Sequence, residues 1–424
     1  MKRSLVRWLA LVLLISVAFV AGCSKDAGST SGEVKLVWWS HDNPAFVAAN
    51  EQLIEEYKKV NPNVTIELQA FPYDAFIQKL KAAFAANTPP DIAQMFGTWV
   101  TDYAKKGMLQ PALDDSIRQN FFDAAVGAYI VDDTLYGLPH EFNLENGGML
   151  AHPKMFEEAG LSYPPKTWDE LVDAAKALTK YDGNQIAVRG FDFTSGDNIT
   201  FTFLSLILQQ GGSYWTEDGR VDFSTPEAVA AMTTLKSFIT DLKVTDMSLF
   251  GTGDISDTFF KGGAAMTYRG PWTIAAGIDT FKVDDFEYIP VPSFTSEPPY
   301  FAAESGWGEV VAKDSKHAEE AWKFVDFMMQ KEQAMNWNIR TFSVPANEEA
   351  ANDPSFVEAI PLMKTSLDVL QYGRWIGPVQ DRDFFFKQIN DNFGAMVAGS
   401  VSVEDGLKKI ETDINAMIEQ RLQQ

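Results

Sequence analysis

Three short strand-like runs near the start of the chain are separated by two helical patterns, and this alternation restricts the possible fold most strongly. Residues 34–38 alternate with period two, and residues 64–68 and 91–95 are further candidate strands. A β-α-β-α-β order predicts a mostly parallel sheet with helices on both faces, and hence an α/β fold. Ligands of such sheets bind beyond the carboxyl ends of the strands, which here are followed by residues 39–43 and 96–99.

Further helices are predicted from capping patterns and from apolar residues at helical spacing. They cover 167–178, 225–242, 318–333 and a tail that begins at Ser402. The chain has 424 residues, more than one compact core usually organises, so we expect two or three lobes.

The composition excludes several classes of protein. Hydrophobic residues make up 46% of the chain and charged residues 22%, which excludes a disordered protein. Acidic residues number 58 against 35 basic ones, and the net charge of −23 argues against nucleic acid or anionic lipid headgroups as partners. One cysteine excludes a disulfide framework, and four histidines argue against a zinc cluster. We therefore expect no metal and no cofactor.

The first residues carry the features of an export signal. A basic start and an apolar run over 9–20 precede the only cysteine, Cys23, in a context that resembles the bacterial lipobox. We expect residues 1–22 to be a lipoprotein signal peptide, Cys23 to be lipidated, and residues 23–33 to form a flexible tether. The alternative is an ordinary secretory peptide that leaves a free thiol. Either reading places the protein outside the cytoplasm, and the first anchors it to the periplasmic or extracellular face of the cell membrane.

Several longer stretches match one known family in their order and spacing. They are 89–92 (PPDI), 103–111 (YAKKGMLQP), 136–139 (YGLP), 165–171 (PKTWDEL), 260–266 (FKGGAAM), 270–272 (GPW) and 321–324 (AWKF). Together with the Cys23 motif, this arrangement resembles the extracellular solute-binding proteins of ABC importers. The resemblance is to the large sugar-binding group related to maltodextrin-binding protein, and it covers nearly the whole chain after Cys23.

The resemblance implies an α/β fold like that of periplasmic binding proteins. Two lobes, each discontinuous in sequence, would be joined by a hinge and would enclose an interlobe ligand cleft. We expect the N-terminal lobe to comprise 34–142 and 295–332, and the C-terminal lobe to comprise 143–294 and 333–424.

A neutral sugar presents apolar C–H faces and a rim of hydroxyl groups, so its site needs aromatic platforms and well-placed polar groups. Aromatic residues make up 13% of this chain, including eleven tryptophans. The candidate ligand-binding residues are Trp39, Ser40, Asp42, Tyr73, Glu145, Arg269, Trp272, Trp307 and Trp375. The resemblance implies roles for Trp272 as a stacking aromatic and for Glu145 as an acidic sugar-binding residue.

Other candidates come from their position along the chain. Trp39 follows the first strand with the opposite parity to Trp38, and Trp307 and Trp375 have glycines close by in the sequence. Several roles stay open. Asp42 accepts from a hydroxyl or caps a helix in competition with Asn43, Arg269 donates to hydroxyls or pairs with a surface acid, and Glu141 competes with Glu145.

These patterns predict a non-catalytic receptor that captures a mono- or oligosaccharide and delivers it to the membrane permease of an ABC importer, acting as a monomer. One alternative is a binding protein for another solute, such as a polyamine, because cations bind against tryptophans and acids. Another is a secreted carbohydrate-active enzyme, which would need two carboxylates across the scissile bond, and no spacing in the sequence singles out such a pair.

Overall fold

The structure is a computed structural model that describes residues 33–250 and 255–422. The predicted signal peptide, Cys23 and nearly all of the predicted tether lie outside the described residues. Within the described ranges, no helix is both long enough and apolar enough to cross a bilayer.

Sixteen strands occur in the described ranges. They are β1 (Val34–His41), β2 (Val64–Phe71), β3 (Ile92–Phe96), β4 (Ile130–Val131), β5 (Thr134–Leu135), β6 (Gly137–Pro139), β7 (Glu141–Phe142), β8 (Gly148–Ala151), β9 (Lys180–Asp182), β10 (Gln185–Val188), β11 (Met266–Tyr268), β12 (Glu287–Pro290), β13 (Phe301–Ala303), β14 (Trp307–Val311), β15 (Val344–Pro345) and β16 (Gly373–Trp375).

The α-helices of the same ranges lie between these strands and after them. They are α1 (Pro44–Val60), α2 (Tyr73–Ala85), α3 (Gly97–Lys105), α4 (Asp123–Val126), α5 (Pro153–Ala159), α6 (Trp168–Leu178), α7 (Asn198–Leu208), α8 (Pro226–Thr240), α9 (Ile255–Phe260), α10 (Ile274–Ala276), α11 (Ala318–Met328), α12 (Lys331–Thr341), α13 (Glu348–Ala351), α14 (Pro354–Ala359), α15 (Lys364–Val369), α16 (Arg382–Val397) and α17 (Val403–Leu422).

The predicted β-α-β-α-β opening is confirmed and builds the sheet of the first lobe. Five strands lie in the order β2-β1-β3-β14-β6, with β1 parallel to both β2 and β3, and β14 antiparallel to β3 and β6. Asn43 caps α1, because its side-chain oxygen accepts from the backbone N–H groups of Ala45 and Phe46. On one face of this sheet, Trp38 packs edge-on against Phe324 of α11.

The second lobe has a smaller sheet of β11-β8-β12, in which neighbouring strands are antiparallel. Helices α7, α8, α16 and α17 pack on one another to form most of its core, which includes Phe203, Leu235 and Ile410. The predicted tail helix begins after Ser402, whose hydroxyl accepts from the backbone N–H of Asp405 at 3.0 Å. The apolar face predicted for this helix is buried at Leu407, Ile410, Ile414 and Ile418.

The chain passes from one lobe to the other through extended segments. The first crossing leaves β6 at Pro139 and reaches the second sheet at Gly148, and part of it pairs as β7 with β15. The chain returns through β13, which hydrogen-bonds to α7: the backbone N–H of Ala302 donates to the hydroxyl of Ser205 at 3.0 Å. β13 therefore contacts both lobes, since Ala302 packs in the core of the second lobe and Phe301 and Ala303 pack in the core that contains the first sheet. The first lobe was predicted to resume at residue 295, just before this strand.

The helix predicted over 318–333 is two helices, because Gln330 is extended (φ −63°, ψ 149°) and separates α11 from α12. The second of them, α12, packs on α1 of the first lobe. There the indole N–H of Trp337 donates to the Asn50 side chain at 2.8 Å, and its ring meets Phe46 edge-on at 4.6 Å. The predicted change of lobe between residues 332 and 333 therefore differs from the packing, which keeps α12 with the first lobe.

Candidate functional site

A cavity of about 390 Å³ lies between the two lobes, beyond the carboxyl ends of β1 and β3. Its wall combines rings, carboxylates and guanidinium groups from both lobes and from the first crossing. The lining residues are His41, Asn43, Phe46, Tyr73, Phe96, Glu141, Asn143, Glu145, Gly196, Asp197, Phe201, Arg269, Trp272, Trp307 and Arg382. A larger hollow of about 700 Å³ lies on the first lobe near α12 and α13, and none of its lining residues is aromatic.

The first-lobe wall is built around Trp307, the first residue of β14. The ring of His41 stacks on it with centroids 4.6 Å apart and planes 20° apart, and Phe96 packs against it at 4.4 Å. Trp99 and Tyr73 meet it edge-on at 5.5 and 6.0 Å. Only 7% of Trp307 is exposed, so its orientation is set by neighbouring rings.

The second-lobe wall is built around Trp272, which lies in the 3₁₀ turn Pro271–Thr273 directly after β11. Its indole N–H donates to Glu145 Oε1 at 3.0 Å. The other carboxylate oxygen of Glu145 is 3.7 Å from Arg269 Nη1, and the Arg269 guanidinium lies 5.2 Å from the centre of the Trp272 ring. Charged hydrogen-bonding groups therefore hold this half-buried indole.

Arg382, the first residue of α16, joins several parts of the cleft. Its Nε and Nη2 donate to the two oxygens of Glu304 at 2.5 and 2.8 Å, and Nη2 also donates to Asp197 at 2.6 Å. The guanidinium lies 5.4 Å from the centre of the Phe96 ring. Two carboxylates therefore balance the charge of Arg382, and Glu145 is the acid beside Arg269, so neither arginine offers a free positive charge to an anionic ligand.

Glu141 is a buried carboxyl group at the first crossing. Burial raises its pKa from 4.5 to about 7, an effect strengthened by the negative charge of Glu145. One of its oxygens accepts from the backbone N–H of Trp307 at 3.3 Å, which favours the ionised form but does not outweigh burial. Near neutral pH this group is therefore divided between its protonated and ionised forms.

The comparisons with known proteins agree with this geometry. The sequence model of the family described as bacterial extracellular solute-binding protein matches residues 43–335, more than half of the chain. The chain belongs to this family.

Individual relatives are more distant. The arabinooligosaccharide-binding protein of Bacillus subtilis is 27% identical over 363 residues, which cover 81% of this chain and 80% of that protein. The structure of the cyclic alpha-maltosyl-1,6-maltose binding protein from Arthrobacter globiformis superposes with a TM-score of 0.78 at 23% identity, covering 92% of this chain and 100% of that one. The ABC substrate-binding protein Lmo0181 from Listeria monocytogenes, in complex with cycloalternan, gives 0.77 at 24% identity, covering 91% and 99%.

These matches show the two-lobed α/β fold of this solute-binding protein and its place outside the cytoplasm. Within the described part of the chain, no group of three or more histidine, cysteine, aspartate or glutamate side chains could hold a metal ion.

Five of the nine sequence candidates line the interlobe cavity of this solute-binding protein. They are Tyr73, Glu145, Arg269, Trp272 and Trp307. They come from α2, the first crossing, the turn after β11 and the start of β14. The structure therefore brings together residues that are far apart in sequence.

The other four candidates do not line the cavity. Trp39 packs edge-on against Phe71 at 5.3 Å, and Lys79 Nζ of α2 lies 5.1 Å from its ring centre. The indole is covered in this way because helices pack on both faces of a parallel sheet. Ser40 is buried and donates to the neighbouring backbone oxygen of His41.

Asp42 is exposed, and Asn43, its competitor as a cap, provides the cap of α1. Trp375 is 36% exposed and lies over Gly127 of the first lobe, where a Cβ atom would be 3.4 Å from its ring. Neither side chain reaches the interlobe cavity.

Sequence reasoning placed residues 39–43 and 96–99 at the ligand-binding edge of the sheet, but it did not select His41 or Phe96 as ligand-binding side chains. It missed Asp197 and Arg382 altogether. Arg382 and Asp197 lie in parts of the chain that carry no local motif. Only the packing of α16 beside the loop that precedes α7 brings them to the cleft.

Proposed function

We propose that this protein captures a neutral sugar, a mono- or oligosaccharide, and delivers it to the permease of an ABC importer. One observation carries the proposal: Trp272 and Trp307, from opposite lobes, line one cavity together with carboxylates and guanidinium groups. Indole faces suit the apolar C–H faces of a sugar, and charged hydrogen-bonding groups suit its hydroxyls. The similarity to the arabinooligosaccharide-binding protein of Bacillus subtilis and the cyclic alpha-maltosyl-1,6-maltose binding protein of Arthrobacter globiformis supports this ligand class.

Closure of the two lobes would follow from the same geometry. A sugar held between Trp272 and Trp307 makes both contacts only when the lobes are close, so it binds the closed form more tightly than an open one. Ligand then shifts the population toward closure by a hinge motion at the crossing segments. The closed form is the one we propose the permease recognises.

We further propose that Cys23 is lipidated and anchors the monomeric protein to the outer face of the cell membrane. The test is metabolic labelling with a radioactive fatty acid. The wild-type protein should incorporate label and fractionate with membranes, whereas C23S should do neither. Label in C23S would contradict the anchor without affecting the proposed ligand.

The proposed function includes no chemical conversion of the sugar. A glycosidase needs one carboxyl group as acid and a second that is free to act as nucleophile or base. Glu141 has the raised pKa of an acid, but Glu145 already accepts from Trp272 and lies beside Arg269. Chromatography of an oligosaccharide after prolonged incubation with the protein should show only intact sugar.

Calorimetric titration with a panel of neutral mono- and oligosaccharides tests the proposal, with uronic acids and a polyamine as comparison ligands. We expect saturable binding of at least one neutral sugar with little dependence on salt, because no net charge is exchanged. W272A should weaken that binding about 10- to 100-fold, a change of about 1.4–2.8 kcal/mol.

The matched control is W375A, which removes an indole outside the cavity and should leave affinity unchanged. Equal effects of W272A and W375A would overturn the site. Binding of the polyamine alone, weakened by salt, would overturn the ligand class.

A further inference from the structure

His41 lies at the end of β1, where its ring forms part of the cavity wall. It is 8% exposed, stacks on Trp307 and meets Phe46 edge-on at 4.9 Å. Its backbone N–H donates to Gln94 Oε1 at 3.2 Å, and its Nδ1 lies 2.5 Å from the same oxygen. The imidazole is therefore fixed by rings on its faces and by a hydrogen bond at one edge.

The hydrogen bond to Gln94 determines which ring nitrogen carries the proton. The backbone N–H of His41 can only donate, so the side-chain atom of Gln94 that faces it must be the amide oxygen and not the amide nitrogen. That oxygen can only accept, so Nδ1 must carry the hydrogen that it receives. In the neutral ring Nε2 is then left with a lone pair.

The ring is held in its neutral form. Burial lowers the pKa of His41 to about 4, and the opposing effects of the Gln94 hydrogen bond and the Asp42 charge are smaller. The charged and titratable groups next to His41 and around the cavity are Asp42, Tyr73, Glu141, Glu145, Asp197, Arg269 and Arg382. Among the hydrogen bonds of the described part of the chain, the His41 ring takes part through Nδ1 and not through Nε2.

We propose that His41 is a specificity-determining residue, whose Nε2 accepts a hydrogen bond from a hydroxyl or amide N–H of the ligand while the ring supports Trp307. This rests on the proposed sugar-binding function and adds a chemical requirement to it. The sugar must present a hydrogen-bond donor within reach of His41 Nε2 when one of its sugar rings contacts Trp307. A sugar whose hydroxyl at that position is replaced by an O-methyl or deoxy group loses this bond and leaves Nε2 desolvated without a partner.

Gln94 is the positioning residue for this acceptor. In a Q94E variant the carboxylate would still accept from Nδ1–H, but its charge would favour the imidazolium form. Nε2 would then carry a proton and become a donor, so the acceptor would be lost at neutral pH and recovered as the pH rises.

The experiment uses calorimetry on wild type, H41F and Q94E with the sugar that wild type binds best. H41F keeps an aromatic ring against Trp307 but has no acceptor, and we expect it to bind roughly 5- to 100-fold more weakly. Wild-type affinity should vary little with the state of His41 between pH 5.5 and 8, whereas the affinity of Q94E should increase over that interval. Binding by H41F within twofold of wild type, or parallel pH profiles of wild type and Q94E, would overturn the proposal.

A second measurement uses only the wild-type protein and so does not depend on whether a variant folds. Two-bond ¹H–¹⁵N spectra of the histidine rings should show His41 as the neutral Nδ1–H tautomer across pH 5.5–8, with an Nε2 resonance that moves when sugar is added. The Nε2–H tautomer would contradict the inference. Failure of wild type to bind any sugar would instead contradict the proposed function, so the two failures can be distinguished.

Discussion

The two walls of the cleft hold their tryptophans by different physical means. Trp307 on the first lobe is almost fully buried, and its orientation is set by five surrounding rings. Trp272 on the second lobe is half-buried and is held by Glu145 and Arg269. The first wall should therefore be a preformed platform that is part of the lobe's core. The second is a hydrogen-bonded arrangement in which a ligand hydroxyl could replace a protein partner.

Two indole side chains that contact the same ligand can therefore contribute differently to the stability of the protein and to its affinity for the ligand. Removing a core ring destabilises the lobe as well as the site, because the cavity left behind is only partly filled. Removing a ring held by polar contacts at the surface of a cleft affects mainly the ligand. Measuring affinity and stability together in variants of each wall therefore separates their roles.

The largest expected effect is that of W307A. It removes the platform and also creates a cavity among His41, Phe96 and Trp99, so we expect sugar affinity to fall more than 100-fold and the free energy of unfolding to fall by about 3–5 kcal/mol. Urea unfolding and calorimetry measure the two quantities. W272A should lose affinity with less than about 1 kcal/mol of stability. Equal losses of stability in both variants would contradict the distinction between the walls.

The ionisation of Glu141, in the first crossing, should make the stability of the protein depend on pH. Its pKa is about 7 in the folded protein and 4.5 ordinarily, so the folded protein binds more protons between these values. The stability that this group contributes is therefore fully present below pH 4.5 and is lost as the pH rises to 7. E141Q cannot ionise. Relative to E141Q, wild type should lose about 3 kcal/mol of unfolding free energy between pH 4.5 and 8.

Urea unfolding of both proteins across that pH range makes the comparison, which cancels the titration of groups common to both. A constant difference between wild type and E141Q would show that Glu141 does not titrate in this interval.

E145A breaks the charged second-lobe wall while leaving Trp272 in place. The variant loses the acceptor for the Trp272 indole and the carboxylate beside Arg269, so we expect sugar affinity to fall about 10-fold. Stability should change little, and the Tm from circular dichroism checks this. The control is E319A, which removes an exposed carboxylate that pairs with Lys323 on the surface of α11. Retention of full affinity in E145A would show that the carboxylate does not position Trp272.

The smallest expected effect concerns contacts across the cleft away from both tryptophans. Arg421 of α17 pairs with Asp102 of α3 and with Asp381 at 2.6 Å, and Lys81 of α2 pairs with Asp383 at 3.3 Å. Such partly exposed pairs are worth little each, and salt screens them. R421Q should therefore weaken sugar binding by no more than about two- to threefold, a change small enough for wild-type affinity to depend little on salt. An effect as large as that of W272A would mean that these pairs dominate closure.

The sequence was sufficient to predict the α/β class, the opening of the first sheet and the tail helix. Each of these depends on local periodicity or on a cap, as Asn43 and Ser402 illustrate. The resemblance to a known family supplied the two-lobed arrangement, together with Trp272 and Glu145 as cavity residues.

Local patterns could not show which element covers a given side chain or which residues distant in sequence contact each other. The alternation of β1 gives the parity of Trp39, but it does not show that Lys79 of α2 lies over its ring. Position relative to glycine was ambiguous in the same way, since it favoured Trp307, which lines the cavity, and Trp375, which lies over Gly127. Arg382 depends on acids at 197 and 304, which no spacing in the sequence links to it.

The central claim is that Trp272 and Trp307 contact one sugar from the two lobes. It is tested most directly by ¹⁹F NMR of the protein labelled with 5-fluorotryptophan, with resonances assigned from single Trp→Phe variants. Adding the sugar that binds in calorimetry should shift the resonances of Trp272 and Trp307 with the same midpoint, while those of Trp39 and Trp375 stay in place. Saturable binding that shifts Trp39 or Trp375 and leaves Trp272 and Trp307 unchanged would contradict the account.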